Sequence, residues 1–196
     1  MLKKETFTLS IKRNLKVKNL SKFSKCQISL IPFYRKILVF SDYFSYEKVP
    51  VTADGQISTL EFLEATKGFT TLFGNLESYH KDSLGPAFSP VKSDILGNVT
   101  KLMAKYNENP SSSATLQAIV LSEKDAKKKQ ATEALLWLKR GLEFTSKALR
   151  NNVNDVTQEL DISFQTAYAV TLSQFHSFLI RPVFSVMTLV LIFLIF

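Results

Sequence analysis

Apolar residues recur at helical spacing through most of the chain, most clearly from Phe88 to Tyr106, FSPVKSDILGNVTKLMAKY. Successive residues on a helix turn by about 100°. With Asp94 at zero, Val91, Ile95, Val99, Leu102, Met103 and Tyr106 fall at roughly 60° to 180°, a core face. Asn98 falls at about 40° and Lys101 at about −20°, so Asp94, Asn98 and Lys101 share one narrow polar strip beside that face. The predicted helix starts at Pro90 and stops near Asn109-Pro110, where proline blocks continuation. An acceptor, an amide and a cation in line can grip a polyhydroxylated headgroup at the mouth of an apolar pocket. On spacing alone, such a strip is more often a solvated edge than a grip.

The same periodicity predicts further helices. Asp54-Gly55 signals a turn, and a first helix follows over about Ser58 to Phe73 on Leu60, Phe62, Leu63, Phe69, Leu72 and Phe73. Gly74 to Gly85 reads as a polar loop whose His80 is given no role. Thr115 to Leu121 reads as a short helix, and Glu123 to Gln130, with its four lysines, as solvated surface. Ala131 to Arg150 is a strong helix with Trp137, Gly141, Phe144 and Ala148 on one stripe. Gly141 leaves space one turn below Trp137, and Lys139 and Arg140 read as surface charges. After a polar connection, Asn151 to Gln158, a last helix from about Asp161 carries Tyr168, Leu172, Phe175, His176 and Leu179 until Pro182.

Composition changes this picture at the two ends. Met1 to Lys36 holds ten Lys/Arg against one acid, while the rest holds fifteen against sixteen, so the body is nearly neutral. A nucleic-acid-binding fold carries its basic patch on the fold itself, and that class is excluded here. Residues 1–45 are expected to be a basic, disordered extension or a non-native upstream region, with a transit-like or membrane-surface segment as a further reading. No apolar core of secretory-signal type follows the first residues. The 14 residues from Val183 to Phe196 carry no charge, short of the about 20 that span a bilayer. They read as a tail anchor, a buried helix or a non-native end. The single cysteine, Cys26, allows no internal disulfide and suits a reducing compartment.

No Gly-rich phosphate loop, zinc spacing or nucleophile–base pair occurs, so the expectation is a non-enzyme without metal or cofactor. Two aromatic side chains stay open in role. A lone tryptophan such as Trp137 is usually core, but a flat ring also stacks against the C–H face of a sugar. His176, in apolar company, is more often a satisfied core histidine than a ligand contact.

The runs AFSPVKSDILGNVTKL, KYNENPSSSATLQAIV, ATEALLWLKRGLEF and AYAVTLSQFH, with DGQISTLEFLEA upstream, resemble the glycolipid transfer protein family over roughly residues 46–182. Within it they look most like the glycolipid transfer domain of the four-phosphate adaptor proteins. The resemblance implies an all-α, two-layer helical sandwich over 46–184 with lipid chains held between the layers, lacking the family's last helices, and an apolar tail at 185–196. It implies that Asp94, Asn98 and Lys101 hydrogen-bond the first sugar and that Trp137 stacks beneath it. His176, with Asp94 nearby, would hold the ceramide amide, and Phe88, Val91, Phe144 and Leu172 would line the apolar pocket or its gate. Relatives that carry ceramide-1-phosphate place a basic residue at the position of Trp137, so Trp137 favours a neutral glycosphingolipid. Ser177-Phe178 stands where the best-known members have Gly-Trp, near the membrane-docking region. The implied protein is a monomeric carrier at cytoplasmic membrane faces, touching membranes transiently. The competing expectations are transfer or sensing of another sphingolipid, and a tail-anchored or truncated membrane-associated form without transfer activity.

Overall fold

The computed structural model describes residues 46–79, 84–155, 158–182 and 184. The expected basic extension, His80 and the apolar tail at 185–196 lie outside the described residues. Five α-helices are described: α1 (Thr59–Tyr79), α2 (Leu84–Glu108), α3 (Leu116–Ser122), α4 (Gln130–Asn154) and α5 (Leu160–Val170). Single 3-10 turns lie at Tyr46–Lys48 and Ser111–Ser113. The all-α class expected from the sequence is the class found.

The chain enters through the turn expected at Asp54-Gly55. Val51 pairs with Ile57 in an isolated antiparallel bridge, and Gly55 sits at φ +82°, a conformation that favours glycine. This turn is tied to α3. Gln117 Nε2 donates to the Gly55 carbonyl at 2.9 Å and Gln117 Oε1 accepts from the Ile57 amide at 3.0 Å. Thr115 caps α3, its hydroxyl oxygen accepting from the Ala118 amide at 3.2 Å. At the start of α1, Ser58 and Glu61 occupy capping-box positions and their side chains bond each other.

Two boundaries differ from expectation on the N-terminal side. The first helix does not stop at Phe73 but continues to Tyr79. Leu76 and Tyr79 extend the spacing of Phe69, Leu72 and Phe73, so the helical period runs on through the polar residues. The second helix opens at Leu84, not Pro90. Pro86 falls in its first turn, where proline is tolerated, and Pro90 removes one backbone bond from a helix that carries on across it.

The stretch Glu123 to Gln130 is not uniformly solvated. Its lysines are exposed, but Glu123 is buried and accepts from the Ala131 amide at 3.0 Å and the Thr132 amide at 2.7 Å. A carboxylate on the free N–H groups of a helix start satisfies them and complements the helix dipole.

The last expected helix is shorter than its periodicity suggests. α5 ends at Val170 and the chain turns through 171–176. The Ser173 amide folds back to the Tyr168 carbonyl at 3.1 Å. Arg181 Nε donates to the Ser173 and His176 carbonyls at 3.0 and 3.1 Å, holding the turn closed. Helical backbone resumes at 180–182, with Pro182 at its start instead of at a break.

α2 packs against both α1 and α4, and α4 packs against α5. Leu63, Ile95, Leu102, Ile119, Leu138, Phe144 and Phe164 form the fully buried centre, so every helix contributes. Fully burying each such side chain contributes about 1.5–3 kcal/mol.

Candidate ligand-binding site

α2 carries the polar strip, but its three members differ in exposure. Asp94 and Lys101 are exposed, while Asn98 is buried at 4% exposure. Asn98 Nδ2 donates to the Asp94 main-chain carbonyl at 2.9 Å, so one amide donor is spent within the helix. Although Asp94 as a residue is exposed, burial is the largest influence on its carboxyl and pushes it above the usual range. Asn98, Lys101 and His176 pull in the opposite direction, which brings Asp94 within electrostatic reach of the turn after α5.

α4 presents Trp137 at its edge. Gly141, Phe144 and Ala148 of the same stripe are buried, while Trp137 is only half-buried. The indole is therefore not a core residue. It lies against His176 with ring centroids 5.9 Å apart and planes 24° from parallel. The space expected below it at Gly141 is met by Ile95, whose Cγ1 lies 3.9 Å from where a Cβ would stand.

His176 is half-buried in the turn after α5, not on the helix itself. Its Nδ1 lies 3.0 Å from the Tyr168 hydroxyl. Phe184 stacks on the Tyr168 ring at 5.0 Å and 6°, and contacts the imidazole at 4.7 Å. Burial, and secondarily Arg181, depress the His176 pKa, while Asp94 opposes them. The net direction is down, so the ring is neutral at neutral pH.

Arg140, expected as a plain surface charge, is half-buried. Its guanidinium carbon lies 4.9 Å from the Trp137 ring centroid and 3.5 Å from that of Phe175. This cation–π sandwich ties α4 to the turn that carries His176. Lys139, by contrast, is a surface charge, paired with Glu143 at 2.5 Å.

Of the expected apolar residues, Val91, Phe144 and Leu172 are buried in one core cluster, with Phe184 packed against it. Phe144 meets Phe164, Tyr168 and Phe184 edge-on at 5.5, 6.3 and 6.2 Å. Phe88 falls in α2, and its side chain lies outside the described residues. Sequence reasoning missed Arg140, Tyr168 and Phe184 as neighbours of the cluster. Arg140 stands three residues after Trp137, one helical turn away, and that spacing was the available signal.

The cluster sits at the edge of an apolar core and offers an acceptor, a cation and a flat ring together. Such a set can take a small molecule with a polar end and an apolar body. Residues 57–191 match the model of the glycolipid transfer protein family. The glycolipid transfer protein of Aureobasidium melanogenum is 46% identical over 141 residues, covering 72% of this chain and 66% of that protein. The crystal structure of HET-C2, a fungal glycolipid transfer protein, has a TM-score of 0.66 at 40% identity, covering 77% of this chain and 75% of that one. The structure described as showing how FAPP2 selects simple glycosphingolipids has a TM-score of 0.64 at 31% identity, covering 76% and 71%. The chain belongs to the glycolipid transfer protein family, a family of lipid transfer proteins and not of enzymes.

Proposed function

We propose that this chain binds a glycosphingolipid and carries it between membranes. The observation that supports this most is the Trp137–His176 stack, drawn from two separate elements, within electrostatic reach of Asp94. In this reading the first sugar lies over the indole. Asp94, Asn98 and Lys101 bond its hydroxyls, since a carboxylate accepts, an amide does both and an ammonium donates. His176 and Asp94 hold the ceramide amide. The two hydrocarbon chains enter the apolar interior beside Phe88, Val91, Phe144 and Leu172, stabilised by about 0.8 kcal/mol per buried CH₂.

The surface next to the site suits a bilayer. Phe178 is 78% exposed and Leu179 67%, with Phe175 and Ile180 also exposed. Arg181 stands beside them. Neighbouring apolar side chains in the open, rimmed by a cation, fit an interface with lipid headgroups. In this reading the protein works peripherally, at cytoplasmic membrane faces, as a monomer that visits membranes transiently. No described helix is long and apolar enough to cross a membrane.

Transfer of radiolabelled glucosylceramide between vesicles tests the reading. Trp137→Ala and Asp94→Val are each expected to lower transfer at least tenfold while helicity is kept. Unchanged transfer by either variant would sink the headgroup assignment. A second reading, transfer of the anionic ceramide-1-phosphate, draws on the guanidinium of Arg140 over the Trp137 ring. The same vesicles loaded with that lipid decide between the two.

A further inference from the structure

The geometry points to Tyr168 as a positioning residue that fixes His176 in the Nε2–H tautomer, so that the imidazole meets the ligand as a hydrogen-bond donor. The inference rests on the site proposed above and deepens it. A neutral imidazole has one donor nitrogen and one acceptor nitrogen, and the partner of the first decides the role of the second. Here Nδ1 is engaged by the Tyr168 hydroxyl at 3.0 Å. In this inference the phenol proton points at Nδ1, because an Nδ1–H donating to the oxygen would leave the proton of a buried hydroxyl without an acceptor among the described residues. Nδ1 accepts, and the ring proton is left on Nε2.

Three contacts hold this arrangement. Tyr168 is 8% exposed on α5, and its ring is stacked on Phe184 at 5.0 Å. Phe184 also contacts the imidazole at 4.7 Å, limiting its rotation. Arg181 Nε holds the His176 carbonyl at 3.1 Å, fixing the backbone from which the ring projects. The ionisation of both groups agrees. Burial raises the Tyr168 phenol, with Arg181 opposing, so it stays protonated. Burial lowers His176, so it stays a neutral ring with one proton to place.

The consequence is a recognition pair of fixed polarity. Asp94 offers an acceptor and His176 Nε2 a donor, within electrostatic reach of each other. Their complement is a group with an N–H and a C=O side by side, a secondary amide. With the other tautomer, both would be acceptors and the carbonyl would face a lone pair. A buried carbonyl left unpaired is penalised by its lost hydration, and the Tyr168 hydroxyl removes that penalty before the lipid arrives.

The test is two-bond ¹H–¹⁵N correlation of the imidazole nitrogens in the lipid-free protein. The chain has two histidines, so His80→Gln leaves His176 as the one ring observed. At neutral pH the Nε2–H pattern is expected, with Nδ1 shifted as a hydrogen-bond acceptor. Tyr168→Phe in that background is expected to return Nδ1 toward the free-imidazole position and to admit the Nδ1–H form. Binding of glucosylceramide in phosphatidylcholine vesicles should weaken roughly three- to tenfold, as for one lost hydrogen bond. A wild-type ring in the Nδ1–H form overturns the inference, whether or not the variant folds. So does a Tyr168→Phe spectrum identical to that of wild type. If the wild type shows the expected tautomer but binds no glycolipid, the functional reading fails and the role of Tyr168 stands.

Discussion

Glu123 shows how far one side chain can depart from the run of sequence that contains it. It stands among exposed lysines, yet it is 6% exposed and holds two amides in the first turn of α4, those of Ala131 and Thr132. Burial pushes its carboxyl up, but the Thr132 and Ala131 bonds and the charge of Lys105 outweigh that, and the net direction is down. A carboxyl lowered by folding stabilises the native state above its unfolded pKa, and that contribution is lost as pH falls through the folded value. Glu123→Gln is therefore expected to destabilise by about 1–2 kcal/mol at neutral pH. The difference from wild type should shrink in acid, below about pH 4. Urea melts of both proteins at about pH 7 and about pH 3.5 check this, and an equal gap at both would count against it. Trp137 makes the converse point. Its place on a regular apolar stripe suggests core, and only the half-buried ring against His176 shows that it faces an edge.

At the scale of elements, two glycines have opposite value. Gly55 holds φ +82° in the turn that docks on α3, where a side chain adds about 1–2 kcal/mol of strain. Gly141 lies inside α4 with room for a methyl group, since its nearest contact would be Ile95 Cγ1 at 3.9 Å. Gly55→Ala should lower the thermal midpoint, while Gly141→Ala should raise it, with a gain of about 0.5–1 kcal/mol. Calorimetry reads both signs directly. The helices themselves were legible because each buries one stripe: Val91, Ile95, Val99 and Leu102 name the inner face of α2 without any structure. The end of α5 was not legible. Leu172, Phe175, His176 and Leu179 keep a helical period, but the chain turns because Arg181 reaches back to two carbonyls. Periodicity cannot register a contact made by a residue beyond the segment. The same limit explains the site. Asp94, Asn98 and Lys101 share a helix face and could be read from spacing, and Trp137 and His176 entered by family resemblance. Arg140 and Tyr168 act through contacts with a turn whose course the sequence did not reveal.

For the molecule as a whole, the position of the open apolar ridge matters. Phe178 and Leu179 project from the segment that follows His176 directly, so the proposed lipid grip and membrane contact move as one piece. Phe178→Asp is expected to reduce sedimentation with phosphatidylcholine vesicles several-fold and slow transfer in parallel. Helicity and lipid-free stability should be unchanged, because the side chain supports nothing in the core. Retained vesicle binding would remove this ridge from the docking surface. One further property follows from the position of Trp137, the chain's one tryptophan. Its indole stands beside an imidazole and a guanidinium, where a headgroup in the proposed site would change its surroundings. Its fluorescence emission is therefore an internal optical gauge of occupancy, readable during loading and release without attaching a dye.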